Sequence, residues 1–150
     1  MTDTMAAAPA ARTPWHLWLV GVLAVLWNGF GAYDYIMTNT QGATYMASMG
    51  MTEAQIAYFN DMPTWMTAAW ALGVWGAFAG SVLLLLRMKW AFHAFAISLL
   101  GLLGSWIYSL TNDGFEIMGA AGLGMSAFIT LVALALVYYA HRMTKAGVLR

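Results

Sequence analysis

Asn28 and Asp34 are the two residues whose chemistry is least expected from their surroundings. They lie in the stretch Leu26-Trp27-Asn28-Gly29-Phe30-Gly31-Ala32-Tyr33-Asp34-Tyr35, which closes an apolar run begun at Trp15. An amide inside lipid needs a hydrogen-bonding partner, because hydrocarbon offers none. A bond across to a Ser, a Thr or a backbone carbonyl of another helix would satisfy it. Asp34, at the end of the run, reads either as a wetted interfacial carboxylate or as the charged group of a ligand site. On a helix the six-residue step between them amounts to about 120° of rotation, so the two flank one sector. Trp70 and Trp106 reach the depth of Trp27 if the later spans alternate in direction. Trp27, Asn28, Asp34, Trp70 and Trp106 therefore make a candidate ligand site, with indoles to stack on a sugar ring or to face a cation. The competing reading makes the tryptophans packing and interface anchors.

Other reactive chemistry is sparse. His16, His93 and His141 fall near one end of three spans. Three converging imidazoles could bind a metal ion and two facing ones could hold haem. None of them belongs to a multi-ligand helical motif, and no acid is near in sequence to orient one, so no metal or cofactor is expected. The absence of cysteine removes disulfides, thiolate metal sites and cysteine catalysis. No nucleophile, base and acid stand together, since the loop acids lie at one end of the spans and the histidines at the other. The expectation is a protein that is not an enzyme.

Composition says what must position these groups. Of 150 residues, 62% are hydrophobic and 8% charged, against roughly a quarter charged in soluble domains. Zero net charge and the lack of a basic block argue against nucleic acid as a partner. The fold expected is an all-α membrane protein: an antiparallel four-transmembrane-helix bundle with a short interfacial helix in its first external loop. Residues 1–14 read as a flexible cytoplasmic tail and 15–143 as the membrane domain, with spans at about 15–35, 65–86, 90–110 and 117–140. Residues 144–150 form a second cytoplasmic tail. A signal peptide competes for the N-terminal segment, but the apolar run outlasts a signal core of roughly 7–15 residues and the Ala run precedes it.

The external loop, 37–63, carries a capping box, Thr52-Glu53-Ala54-Gln55, that opens its helix. Ile56 and Phe59 then share a face and offer a partner surface, and Met46, Met49, Met51 and Met62 make the loop apolar. Between spans, small residues allow the close backbone approach that holds membrane helices together. Gly73, Gly76 and Gly80 supply it in span two, Gly101 and Ser105 in span three, Gly122 and Ser126 in span four.

Trp27 to Tyr35, followed by Trp70-Ala71-Leu72-Gly73-Val74-Trp75-Gly76 and by Gly80-Ser81 before a leucine run and Arg87, resembles a group of short, mostly uncharacterised four-span bacterial inner-membrane proteins. Some of these carry a loose sugar-transporter label. The resemblance covers roughly Trp15 to Leu110 and implies the four-span architecture. Two functions stay open: an accessory or interaction subunit of a larger membrane complex, and a small carrier or channel for a sugar or cationic solute. Partners would be the bilayer, other membrane subunits or further copies of the chain.

Arg12, Arg87, Lys89, Arg142, Lys145 and Arg150 all fall on one side if the spans alternate, which places both termini in the cytoplasm. An impermeant lysine reagent applied to intact cells should leave Lys89 and Lys145 unmodified and should reach both after permeabilisation. Reaction of either lysine in intact cells would reverse the orientation.

Overall fold

A computed structural model of the chain describes residues 11–150. Most of the expected N-terminal tail, residues 1–10, lies outside the described residues. The rest is helical: α1 Trp15–Gln41, α2 Ala43–Ser48, α3 Glu53–Asn60, α4 Thr64–Leu85, α5 Trp90–Thr111 and α6 Gly114–Lys145. No strand occurs among the described residues. The four long helices, α1, α4, α5 and α6, are long and apolar enough to cross a membrane. A lipid bilayer is therefore their environment, and the protein is a multi-pass membrane protein.

Local chemistry sets the helix ends. Pro14 and Pro63 precede α1 and α4 in extended conformation, and their carbonyls accept from Leu17 and Met66. Proline costs nothing there because its missing N–H would have no helical partner. At α3 the Thr52 hydroxyl accepts from the Gln55 amide at 3.3 Å while the Gln55 side chain accepts from the Thr52 amide at 3.0 Å. This is the capping box read from the sequence.

Two helices run differently from the hydropathy reading. α1 continues past Tyr35 to Gln41, because Asn39 and Thr40 bond back to the carbonyls of Tyr35 and Ile36 and extend the helix through polar residues. It stops at Gly42, whose φ of 56° carries the chain back into α2. Most of the segment expected as a loop is thus helix. α6 starts at Gly114 and breaks at Gly119, where φ 69° and ψ −170° lie in a region open essentially to glycine alone. The break releases backbone carbonyls from their usual i+4 partners, and the Gln55 side chain donates to one of them, Ile117 O, at 3.5 Å.

α4 and α5 make the tightest pairing. A Cβ on Gly101 would run into Ala69 O and the backbone of Gly73, and one on Gly80 would stand 2.7 Å from the Phe95 ring. Gly76 lies equally close to Ala94 and Ser98, and the Ser98 hydroxyl donates to Gly73 O at 2.6 Å. α1 packs on α4 through Gly21 against Leu85 and Gly29 against Phe78. Gly122 behaves otherwise: the kink folds Met118 of its own helix over it, so it does not seat a neighbouring helix.

Two cores result. At the end carrying the basic residues, Leu17, Ala24, Leu84, Ala91, Phe95, Leu136 and Ala140 pack with Val148 and Leu149. The last residues fold back beneath the α4–α5 turn, where Arg150 N donates to Arg87 O at 2.8 Å and Lys89 N to Arg150 O at 2.9 Å. At the acidic end, Tyr58 from α3 packs with Met66 and Tyr108, flanked by Phe59, Met62, Trp70 and Ile117.

Because backbone surrounds the Gly101 site, Gly101→Ala should lower stability by about 1–3 kcal/mol. Gly124→Ala, facing open space, should be neutral or stabilising by up to about 1 kcal/mol. Thermal denaturation in mild detergent measures both, and equal midpoints would mean the α4–α5 seam is not closed.

Candidate functional site

Between the two cores α1, α4, α5 and α6 surround a cavity of about 520 Å³. Small residues border it: Gly73 and Ala77 on α4, Ser98, Gly101 and Ser105 on α5, Gly122 and Ser126 on α6. α1 contributes Trp27, Asn28 and Asp34, and α3 lays Tyr58 and Phe59 across the acidic end. α1 and α6 meet where His16 Nδ1 hydrogen-bonds the Tyr139 hydroxyl, 2.6 Å, and where Trp27 meets Phe128 edge-to-face, 5.3 Å between ring centres. Nearer the acidic end no hydrogen bond or aromatic contact joins these two helices among the described residues.

Asn28 finds its partner on the neighbouring helix. Its amide donates to Ser81 Oγ at 2.8 Å, and Ser81 in turn donates to Ala77 O at 2.8 Å. Since the serine proton is committed to a carbonyl, the serine can only accept from Asn28. That fixes the amide orientation and leaves Asn28 Oδ1 without a partner among the described residues. Ser98 and Ser105 repeat the pattern, giving their protons to Gly73 O and Gly101 O and keeping lone pairs.

Asp34 lies within α1, about two turns before its end, and half-buried. Tyr45 reaches back from α2 and donates its hydroxyl to Asp34 Oδ1 at 2.8 Å. That bond, with burial and the carboxylate's charge behind it, raises the Tyr45 hydroxyl from 10.0 to about 12. Oδ2 has no partner among the described residues.

Aromatic rings form the outer wall. Trp70 stands edge-on to Tyr35, 4.9 Å between centres, and is tilted against Phe59 at 5.8 Å. Phe59, Met62 and Trp70 also border a second, more polar cavity of about 300 Å³ that includes Thr38, Asn39, Asn60 and Thr67. These three side chains border both this polar vestibule and the central cavity.

Of the five residues grouped from the sequence, Trp27, Asn28, Asp34 and Trp70 line one cavity. Trp106 does not join them: its indole N–H donates to Thr130 Oγ1 at 2.9 Å, and its ring leans on Phe115. Phe59, assigned to a partner surface, points inward onto Trp70, and Ile56 is half-buried. The histidines take separate roles, His16 on Tyr139 and His93 and His141 against Phe92. Among the described residues no three His, Cys, Asp or Glu are placed to hold a metal ion. Tyr45 and Ser98 were missed. Gly42, as a chain reversal, was the signal for Tyr45, and the three-residue step to Gly101 was the signal for Ser98.

No family model matches the chain, and neither a curated protein nor a solved structure does so.

With its acidity lowered in the fold, Tyr45 stabilises the structure fully below about pH 10, and this contribution is lost as pH rises through about 12. The alkaline difference spectrum between wild type and Tyr45→Phe should show one phenol titrating at about 12. In Asp34→Asn its midpoint should fall towards 10.0. A wild-type midpoint already at 10.0 would mean the Asp34 contact is not made.

Proposed function

We propose that this is a non-enzymatic protein of the bacterial inner membrane, an antiparallel four-helix bundle that binds a small solute in its central cavity and acts as a small carrier. The cavity carries the proposal. A recess of about 520 Å³, bordered by small residues on three helices and bridged by no α1–α6 hydrogen bond or aromatic contact toward its acidic end among the described residues, is a place for a solute to occupy. Its wall is mainly apolar with a few placed polar groups, as small-molecule sites are.

Access from the acidic end supports the carrier reading. The polar vestibule adjoins the cavity across Phe59, Met62 and Trp70, whereas the basic end is filled by Leu17, Leu84, Phe95 and Leu136. This arrangement matches one access state of a carrier. The accessory-subunit reading has less support: Phe59, one of the two residues it relied on, is turned inward. Exposed Trp15, Trp65 and Trp90 at the ends of three helices fit an interfacial aromatic belt and need no protein partner.

A single thiol tests the reading, because the chain has no cysteine of its own. In Ser105→Cys, a thiol in the cavity wall should react slowly with the impermeant reagent (2-trimethylammonioethyl) methanethiosulfonate. Adding Phe59→Ala removes two aromatic pairs, with Tyr58 and Trp70, each worth about 0.5–1.5 kcal/mol, so the rate should rise by about tenfold or more. A thiol that stays unreactive in both backgrounds would exclude an aqueous route from the acidic end and return the case to the accessory subunit.

A further inference from the structure

We infer that the cavity selects an organic ammonium: a protonated amine carried on an aromatic or branched apolar body. The inference rests on the solute-binding reading and names its substrate class. Four observations lead to it. The first is charge. Asp34 is the only carboxylate among the lining residues, and no Lys, Arg or His lines the cavity with it. No salt bridge involving Asp34 occurs among the described residues, and its one partner, Tyr45, is a neutral hydroxyl. The remaining donors in the wall are indole N–H groups and hydroxyls, all neutral. The negative charge of the site is thus uncompensated by the protein.

The second observation is hydrogen-bond polarity. Ser98 and Ser105 give their protons to backbone carbonyls, and Asn28 gives an N–H to Ser81. Ser98 and Ser105 keep lone pairs, as do Asn28 Oδ1 and Asp34 Oδ2, beside neutral donors on Asn28, the indoles and Ser126. An ammonium has donors and no acceptor, and Asp34 Oδ2 with these lone pairs receives them. A carboxylate ligand would meet the same charge and would be repelled. A sugar finds donors and acceptors here but leaves the charge of Asp34 uncompensated.

The third is the aromatic content. Trp27 and Trp70 both line the cavity, on α1 and α4. Ring faces attract a cation and accept an apolar body equally well. The last is shape. Asn28 and Asp34 are separated by six residues, about 9 Å along α1, and the large apolar side chains of the wall are Phe, Met, Leu, Ile and Val. A single charged head near Asp34 with an apolar body directed toward Phe95 and Leu136 uses both halves.

Three probes of one body separate the alternatives: phenethylammonium, 2-phenylethanol and phenylacetate. Calorimetric titration of the full chain in lipid nanodiscs at neutral pH, with empty nanodiscs as blank, gives their affinities. The same probes are tested for protection of the Ser105→Cys thiol. Phenethylammonium should bind roughly tenfold or more tighter than 2-phenylethanol, and phenylacetate weakest of the three. Asp34→Asn should erase the advantage of the ammonium and leave the alcohol unchanged, and Asp34→Glu should restore much of it. The wild-type ranking needs no variant, so a folding defect in Asp34→Asn cannot hide the answer. Equal binding of alcohol and ammonium, both protecting the thiol, would overturn the selectivity and leave a general apolar solute site. Protection by none of the three, with no heat of binding, would overturn the solute-binding reading as well.

Discussion

Gly101 approaches Ala69 and Gly73 so closely that no side chain larger than hydrogen fits between them, and the remaining helices are arranged around that seam. In lipid there is little hydrophobic drive between helices, so such an approach is where membrane helices gain dispersion contacts. Drawing α4 and α5 together spends their small residues on one contact. The surplus small residues, Ser105 on α5 and Gly122 and Ser126 on α6, face the centre. With small side chains on facing walls, α1 and α6 cannot close the middle. They meet instead at the basic end, through Leu17, Leu136 and Ala140. The cavity is thus a consequence of where glycine and serine stand, not of a missing element.

The same economy applies to polar groups. Three hydroxyls within the spans give their protons to backbone carbonyls: Ser81 to Ala77, Ser98 to Gly73, Thr130 to Ser126. A buried hydroxyl without a partner costs several kcal/mol in an apolar medium, which is why these bonds are made. Their side effect is electrostatic. These protons go to the backbone, and the serines that give them keep lone pairs.

Hydropathy and punctuation made much of the helix pattern legible. Pro14, Pro63 and the Thr52–Gln55 box mark starts that periodicity alone would have blurred. The rest lay in long-range or conformational facts. Thr38 to Gln41 is too polar to signal a continued span, since the helix there is held by Asn39 and Thr40 bonding back along it. The kink at Gly119 escapes the hydropathy reading, which runs span four unbroken from about 117 to 140, and nothing local says that Gly119 takes positive φ. Trp106 shared a depth with the other indoles and still faces Thr130, because depth in a membrane does not fix azimuth around a helix. The burial of Val148 and Leu149 beneath the α4–α5 turn depends on backbone bonds to Arg87 and Lys89 that no spacing rule connects.

Asp34 is the residue on which these constraints converge. A carboxylate placed only for solubility sits in water, and one buried for structure is held by donors on both oxygens. Asp34 is in neither condition. α1 carries it into the wall of the cavity instead of ending beside it, and α2 turns back through Gly42 to set Tyr45 on one oxygen alone. Tyr45 and Met46, both buried, anchor that short helix in place, so the hydroxyl is held and not merely available. A donor on Oδ1 fixes the carboxylate plane and supports its charge in a half-buried site. The second oxygen, opposite that anchor, is left to a donor that the described residues do not provide. A neutral solute could sit in the apolar part of the cavity without needing this arrangement. Asp34 thus anchors Tyr45 through one oxygen and leaves the other open in a wall it shares with two indoles, which is the feature the proposed ammonium would use.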